Sequence, residues 1–260
     1  MIILIAESKT MLGNQRDIGQ EEFKNHTPGS EAVADEIMDN LSQQPVEEIV
    51  EQTKLSASLA IKLKKMAYDF RYKVTGYNAI SAFTGVVFRS LDYVSLSEEG
   101  KKRCGRDVGL ISSLYGWLRP LDIIKPYRLD FNARIEGTPT EGRSLWSFHR
   151  PEVTKNLVNT INAANESEIL SLLPSDASKC VDWKLVKRFA RVWKADFQEV
   201  TAGGTLKTPS ASRLKTLRGL LLRQILEEGI REAADLLHTA SDHYVCEGTP
   251  VYPDHLRFLC

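Results

Sequence analysis

The sequence predicts a mixed α/β (α+β) fold, in which a sheet of parallel and antiparallel strands is wrapped by helices. The chain opens on a continuous apolar run, residues 1–6, that is typical of a strand buried on both faces. Segments with apolar residues at helical spacing follow, most clearly at 210–228. Because 260 residues can form one large core, we expect a single compact domain over 1–260, with a helical subregion at about 30–70.

Composition and charge narrow the class of protein. The chain contains 34 basic and 34 acidic residues, and this zero net charge argues against a uniformly basic nucleic-acid-binding protein. The four Cys are far apart and the five His show no metal-ligand spacing, so we predict no metal site, no cofactor and no disulfide scaffold. No apolar run is long enough to cross a membrane or to form a signal peptide, so we expect a cytoplasmic protein.

The N-terminal part predicts one strand followed by helices. The polar turn after the strand at 1–6 carries Lys9. Ligands of open α/β sheets bind beyond the carboxyl ends of strands, so Lys9 is a candidate site residue. A surface lysine that caps the sheet is the alternative. We expect a loop at 11–29 and then three helices, which begin at Ser30, Pro45 and Ser56.

The join between the second and third of these helices has the spacing of a helix-hairpin-helix unit, roughly L-x-x-L-x-G-I-G-x-x-x-A. Leu55 takes the apolar hairpin position and Ala60 the small one, but both glycines are replaced. Such units hold a DNA phosphate with the backbone N–H groups of the hairpin and of the following helix. A solvated helical face is the alternative. The expected DNA-binding residues are Lys54, Ser56, Lys62 and Lys65.

The segment 112–130, near mid-chain, combines charged, aromatic, glycine and proline residues between aliphatic ones. Its prolines restrict the preceding residues to extended backbone, so we expect a rigid segment that projects Arg119 and Arg128. Guanidinium groups bind anions in a bidentate manner. The segment therefore predicts an anion site, for phosphate in particular. Structural ion pairs with Asp122 and Asp130 are the alternative.

The remaining segments predict further strands and helices. Residues 78–91 alternate in the manner of a strand, with a bulge at Gly85. The leucine spacing at 110–118 predicts a short amphipathic turn. We also expect a helix at 97–103, a helix that opens at Pro151, a strand at 169–173, two strands within 184–200, helices at 210–228 and 230–240, and short strands in the tail.

The helix at 210–228 carries basic residues in its first half. Lys215 and Arg218 are three residues apart, so they share a face of this helix. Positive charge near a helix start is unfavourable to the helix dipole, so these residues are candidates for binding an anionic partner. A solvated basic face is again the alternative.

Several stretches together point to a known family. They are Ile-Ala-Glu-Ser-Lys-Thr at 5–10, Ala-Phe-Thr-Gly-Val-Val-Phe at 82–88, Ser-Leu-Tyr-Gly-Trp-Leu-Arg-Pro-Leu-Asp at 113–122, Pro-Tyr-Arg-Leu at 126–129, and Lys215 with Arg218-Gly219. With these, the chain resembles the YaaA family of peroxide stress proteins, also called UPF0246 or DUF328, from end to end. It departs from the family's Asn-Leu-Ala-Ser-x-Glu-Tyr element, because residues 171–177 lack the Tyr and keep an acid only as Asp176.

The resemblance implies a cytosolic protein of mixed α/β fold that binds double-stranded DNA through a helix-hairpin-helix-like element. It also implies a role in limiting peroxide damage, linked to an indirect lowering of free iron. The residues themselves leave a second hypothesis open, an enzyme that acts on a nucleotide or damaged nucleobase and holds a phosphate-containing small ligand. Its candidate pocket consists of Lys9, Arg119, Tyr127, Arg128, Lys215 and Arg218.

Overall fold

The computed structural model describes residues 1–12, 28–72, 76–248 and 254–260. Its helices are α1 (Glu31–Gln43), α2 (Val46–Thr53), α3 (Ala57–Tyr72), α4 (Ala79–Ala82), α5 (Val86–Leu91), α6 (Glu98–Asp107), α7 (Leu145–Ala164), α8 (Ser175–Ser178), α9 (Trp183–Val186) and α10 (Ala211–Glu228). Its strands are β1 (Ile2–Ala6), β2 (Tyr77–Asn78), β3 (Val108–Ser112), β4 (Gly116–Leu118), β5 (Ile123–Ile124), β6 (Glu168–Ser171), β7 (Arg191–Val200), β8 (Leu206–Lys207), β9 (Ala240–Ser241), β10 (Tyr244–Cys246) and β11 (His255–Leu259). The predicted mixed α/β fold is confirmed.

The main sheet has a parallel centre and antiparallel edges. Its strand order is β4-β3-β1-β6-β7-β11-β10-β9, and β8 pairs with β7. The five strands from β3 to β11 run parallel to one another, whereas β4, β8, β9 and β10 pair in the antiparallel sense. A parallel centre requires cover on both faces, which explains why β1 is apolar at every position.

The two faces of β1 pack into different cores. Ile3 and Ile5 point into the core that also contains buried residues of α1, α3 and α10. Ile2 and Leu4 point into the core that contains buried residues of α7. Side chains alternate along a strand, so this division follows directly from the period of two.

The central connections create a crevice between β1 and β6. The chain leaves β1 toward β3 on one side, and it leaves β6 toward β7 on the other side. In open α/β sheets, ligands bind beyond the carboxyl ends of the strands at such a reversal. The residues that follow β1 and β6 therefore stand where a ligand site is expected.

Several predicted elements are confirmed in place. The strand at 1–6 is β1, the helix at 97–103 is the first part of α6 with Ser97 as its N-cap, and the helix at 210–228 is α10. Ser210 caps α10, because its Oγ accepts a hydrogen bond from the Arg213 amide at 3.2 Å. The tail contains the expected short strands, β9, β10 and β11.

The prediction of a bulged strand at 78–91 is wrong, because β2 includes only its first residue, Asn78, and the rest contains the short helices α4 and α5. An apolar run in which most residues are buried shows alternation by chance, and periodicity cannot then separate strand from helix. Gly85 is not a bulge but the residue that precedes α5. A Cβ atom on Gly85 would lie 2.2 Å from Ser8 Oγ, so glycine permits the close approach of this turn to the turn after β1.

The prediction of an amphipathic turn at 110–118 is also wrong, because this segment forms β3, a turn and β4. Leu110 and Leu118 face each other across the two strands, so their spacing only imitates a helical one. Gly116 has a φ of +67°, which a glycine adopts without strain and which helps the chain to reverse.

Three boundaries differ from the sequence prediction. Helix α7 begins at Leu145 and contains Pro151, rather than opening at it. The two strands predicted within 184–200 are one strand, β7 (Arg191–Val200), which contains Val192 and Phe197, and the segment before it forms helix α9, which Asp182 caps by accepting from two backbone amides. The helix predicted at 230–240 is reduced to a 3₁₀ turn at Asp235–His238.

The helical subregion at about 30–70 contains α1, α2 and α3, which begin after Ser30, Pro45 and Ser56. Ser30 does not cap α1 with its side chain, because its hydroxyl donates to the carbonyl of Tyr115 instead. Most of the loop predicted at 11–29 lies outside the described residues. In the part of the chain that the structure describes, no helix combines the length and the hydrophobicity that a membrane span requires.

Candidate functional site

A cavity of about 400 Å³ opens at the carboxyl ends of β1 and β6, and we call it the β1–β6 pocket. Its walls come from the turn after β1, the start of α5, the segment after β6, and α10. The lining residues used below are Glu7, Ser8, Lys9, Gly85, Asp130, Asp176 and Lys215. The position agrees with the crevice that the strand order creates.

Glu7 forms the floor of the β1–β6 pocket, directly after the last residue of β1. Its Oε2 accepts hydrogen bonds from the backbone amide of Ser113 at 2.8 Å and from the hydroxyl of Tyr127. The Tyr127 hydroxyl also lies 2.7 Å from Ser112 Oγ. The carboxyl ends of β1 and β3 are therefore joined by one buried polar cluster.

Burial raises the pKa of Glu7 to about 7, although the hydrogen bonds from Ser113 and Tyr127 favour the ionised form. Burial and the neighbouring Glu7 raise the pKa of Tyr127 well above its usual value, so the phenol keeps its proton. A carboxyl group that titrates near neutral pH in a pocket is a candidate for proton exchange with a ligand.

Lys9 and Arg128 meet on one side of the β1–β6 pocket. Lys9 Nζ donates to Asp130 Oδ2 at 2.6 Å, and Arg128 Nη1 donates to the Lys9 carbonyl at 2.9 Å. Burial is the largest influence on Asp130 and opposes its ionisation, but the hydrogen bonds from Lys9 and Asn132 and the charge of Lys9 together lower the pKa of Asp130. Asp130 therefore does form an ion pair, as the alternative hypothesis expected, but its partner is Lys9 rather than an arginine.

Helix α10 places Lys215 in the lining of the pocket on another side, and Arg218 lies close by without lining the cavity. Lys215 is exposed and lines the cavity, whereas Arg218 is partly buried one turn further along the helix. Burial lowers the pKa of Arg218, and the nearby charge of Asp176 acts in the opposite direction. Asp176 also lines the cavity, so both cations of α10 lie near the same space.

Arg119 lies apart from the other candidate residues. It follows β4, which runs antiparallel to β3, so it stands at the amino-terminal end of the sheet's central strands. By this register, roughly 10 Å of strand separates Arg119 from the carboxyl end of β3, beyond which the pocket opens. Arg119 lines a different cavity with Trp117 and Glu152, and the structure does not bring it into the β1–β6 pocket.

The residues predicted to contact DNA lie around the turn between α2 and α3. Lys54 has a φ of 58° and ends α2 in the left-handed conformation, so the chain reverses within three residues. Lys54, Ser56, Lys62 and Lys65 are all exposed. The structure confirms two helices joined by a tight turn, and the assignment of a DNA-binding helix-hairpin-helix unit stays a prediction.

Glu7 is the pocket residue that the sequence did not single out. Its donors lie 106 and 120 positions away along the chain, at Ser113 and Tyr127, so no local pattern marks it. One signal was available, since an acidic residue follows a fully apolar strand with no intervening residue. The described residues contain no group of three His, Cys, Asp or Glu side chains that could hold a metal ion.

Comparison with known proteins decides the family. Residues 1–249 match the family described as "Peroxide stress protein YaaA". The chain belongs to this family. A UPF0246 protein of Parabacteroides distasonis is 29% identical over 234 residues, which cover 89% of each chain. A UPF0246 protein of Bacteroides fragilis is 31% identical over 240 residues, 91% of this chain and 89% of the relative. The predicted resemblance to the YaaA family is confirmed, and this membership connects the protein with the oxidative stress response.

Proposed function

We propose that this protein binds double-stranded DNA without sequence specificity during peroxide stress and thereby limits oxidative damage to DNA. The observation that supports this best is the turn between α2 and α3, which Lys54 closes in the left-handed conformation. At the start of a helix, the first amides have no partner within the helix and attract phosphate. Here, the start of α3 is exposed, and Lys62 and Lys65 follow on its second and third turns.

Charge around the turn limits where DNA lies in this proposal. Acidic residues outnumber basic ones across 30–70, and most of them belong to α1 and α2. The cations Lys62 and Lys65 belong to α3. DNA therefore contacts the turn and α3 rather than α1. With no net positive charge on the chain, affinity is modest and falls steeply with salt.

The proposed connection with iron is indirect. Protection of DNA follows from occupancy of the phosphate backbone, and the proposal assigns no iron ligands to this protein. Any lowering of free iron is then a consequence of the stress response rather than of storage by the chain.

The test is a titration of fluorescently labelled duplex DNA at a series of salt concentrations. We expect the affinity to fall linearly on a logarithmic scale with salt, and to be the same for unrelated sequences. The double variant Lys62→Glu and Lys65→Glu should weaken binding at least about tenfold, since each lysine is assigned to phosphate. Lys102→Glu, on the exposed side of α6, is the matched control. Binding that ignores salt, or that the double variant leaves intact, sinks the proposal.

The β1–β6 pocket favours a second function, action on a nucleotide or damaged nucleobase. Its volume of about 400 Å³ is in the range of small-molecule sites. It combines cations suited to phosphate, Lys9 and Lys215, with a carboxyl group at Glu7 whose pKa burial raises to about 7. Binding of nucleotides to the purified protein, and its loss in Lys215→Met with Arg218→Met, tests this function separately from DNA binding.

A further inference from the structure

The two carboxylate oxygens of Glu7 have different surroundings. Oε2 accepts both hydrogen bonds, from the Ser113 amide and from the Tyr127 hydroxyl. The hydroxyls of Ser112 and Ser113 also lie close enough to favour the ionised carboxylate, but no further hydrogen bond to Oε1 is formed within the described residues, and Glu7 lines the β1–β6 pocket. One oxygen is therefore held by the protein, and the other is available to a molecule in the cavity.

The cations of the pocket are also unequal. Lys9 is already engaged, because its ammonium group donates to Asp130 at 2.6 Å. By contrast, neither Lys215 nor Arg218 forms an ion pair with another described residue. Burial lowers the pKa of Arg218, which reports a guanidinium group that is partly desolvated without a direct counter-ion. Lys215 and Arg218 are consequently the donors available to an anion.

We propose that Lys215 and Arg218 bind the phosphate group of a nucleotide in the β1–β6 pocket, and that Glu7 binds the same ligand as a neutral carboxylic acid. In this arrangement the proton on Glu7 Oε1 is donated to an oxygen or nitrogen of the ligand, while Oε2 keeps its bonds to Ser113 and Tyr127. The inference rests on the second proposed function, that the pocket holds a nucleotide. It adds which groups hold the phosphate and in which protonation state Glu7 binds.

The electrostatics favour the neutral form of Glu7 when an anion is bound. With a pKa raised by burial to about 7, Glu7 is about half protonated at neutral pH before the ligand arrives. A phosphate in the same cavity repels the carboxylate and raises this pKa further. Ligand binding therefore takes up a proton, and the affinity is highest below the pKa of the free protein.

Other titratable groups near Glu7 do not change the expected direction of the pH dependence, in which affinity falls as the pH rises. Burial raises the pKa of both Tyr127 and Cys180, so neither ionises near neutral pH. Burial opposes ionisation of Asp130, but Lys9 and Asn132 together lower the pKa of this carboxyl group. Burial lowers the pKa of His149, beyond Ser113, to about 4. The remaining charges at the cavity are Lys9 and Lys215, Asp176 and the nearby guanidinium groups Arg89, Arg128 and Arg218.

The experiment is isothermal titration calorimetry with thymidine 3′,5′-cyclic monophosphate, a nucleotide whose phosphodiester does not titrate near neutral pH. Titrations at pH 7 in buffers of different ionisation enthalpy count the protons taken up. We expect uptake of up to about half a proton per ligand, and an affinity that falls toward about tenfold per pH unit above neutral pH. A single-stranded oligothymidylate in parallel separates a free nucleotide from a nucleic-acid strand as the source of the phosphate.

Three variants distinguish between the possible explanations of the binding results. Glu7→Gln still offers a donor to the ligand, so we expect it to bind with no proton uptake and no dependence on pH. Lys215→Met with Arg218→Met should bind at least about tenfold more weakly, whereas Lys102→Met on α6 should match the wild-type protein. Binding by the wild-type protein without proton uptake overturns the role of Glu7 and leaves the pocket function standing. Absence of binding by either probe overturns the pocket function itself.

Discussion

The β1–β6 pocket and the turn between α2 and α3 both carry charged residues, but the charged groups differ in their burial. Around the turn, Lys54, Lys62 and Lys65 are exposed, so water solvates their charges. The pocket lysines Lys9 and Lys215 are exposed as well, but Glu7 in the pocket and Arg218 beside it are partly buried, and desolvation shifts their pKa values. Charge at the turn is therefore expected to contribute little to the stability of the fold, whereas the charge of Glu7 affects it.

The largest expected effect belongs to Glu7. Its pKa is about 7 in the folded protein and near 4.5 in the unfolded chain, so its contribution is favourable below pH 4.5 and is lost as the pH rises toward 7. Glu7→Gln should therefore stabilise the protein by about 3 kcal/mol at pH 8 and by less than about 1 kcal/mol at pH 5. Urea unfolding at both pH values measures this. Glu98→Gln, at an exposed site on α6, is the control, and an equal effect at the two pH values contradicts the assignment.

The next effect concerns the wall that presents Lys215 and Arg218. Gly219 of α10 packs against α5, and a Cβ atom there would lie 2.3 Å from the Val87 carbonyl oxygen. Gly219→Ala should push the two helices apart and destabilise the protein by about 2 kcal/mol, as overpacking does. Gly203→Ala is the matched control, since its Cβ would meet nothing closer than 4.0 Å. Equal melting temperatures for the two variants would show that α10 does not need this close approach.

A smaller effect is expected from the ion pair at the pocket entrance. The side chain of Lys9 is 60% exposed and that of Asp130 is 26% exposed, so water screens much of their attraction. Asp130→Asn should lower stability by less than about 1 kcal/mol. A double-mutant cycle with Lys9→Met isolates the pair. A coupling well above that value would mean that the entrance is more desolvated than the structure indicates.

The smallest effect on stability is expected at the turn. Lys62→Glu with Lys65→Glu should change the free energy of unfolding by less than about 0.5 kcal/mol, because both side chains are exposed. Circular dichroism and urea unfolding provide the check. A large loss of stability would assign these lysines a structural role and would remove DNA as the explanation for them.

Local sequence patterns predicted those elements whose own apolar residues indicate which side chains are buried. Six apolar residues predict β1, and leucines at helical spacing predict α10. The structure confirms both elements, with β1 in the main sheet and the buried leucines of α10 in the core. The helical interpretation of Leu110 and Leu118 was wrong because these residues pair with each other across two strands. Lys9 could be identified as a candidate because its position directly after β1 is visible in the local sequence. Glu7 could not, because its hydrogen-bond partners come from a distant part of the chain.

Arg119 is a second residue whose position in the fold could not be predicted from the local sequence. It shares a short segment with Tyr127 and Arg128, and proximity in sequence suggested one site. The reversal at Gly116 sends Arg119 to the other end of the sheet, while the later residues return to Glu7 and Lys9. A turn of this kind depends on strand pairing across the hairpin, which periodicity alone does not report.

The most direct test of the central claim is duplex DNA binding measured side by side for two variants. If DNA lies on the turn and α3, Lys62→Glu with Lys65→Glu should lose at least about tenfold in affinity and about two units of the salt slope. Lys215→Met with Arg218→Met should keep the wild-type affinity within about threefold, because the pocket cations are assigned to a nucleotide. Equal losses in both variants, or a loss only in the pocket variant, would contradict the account.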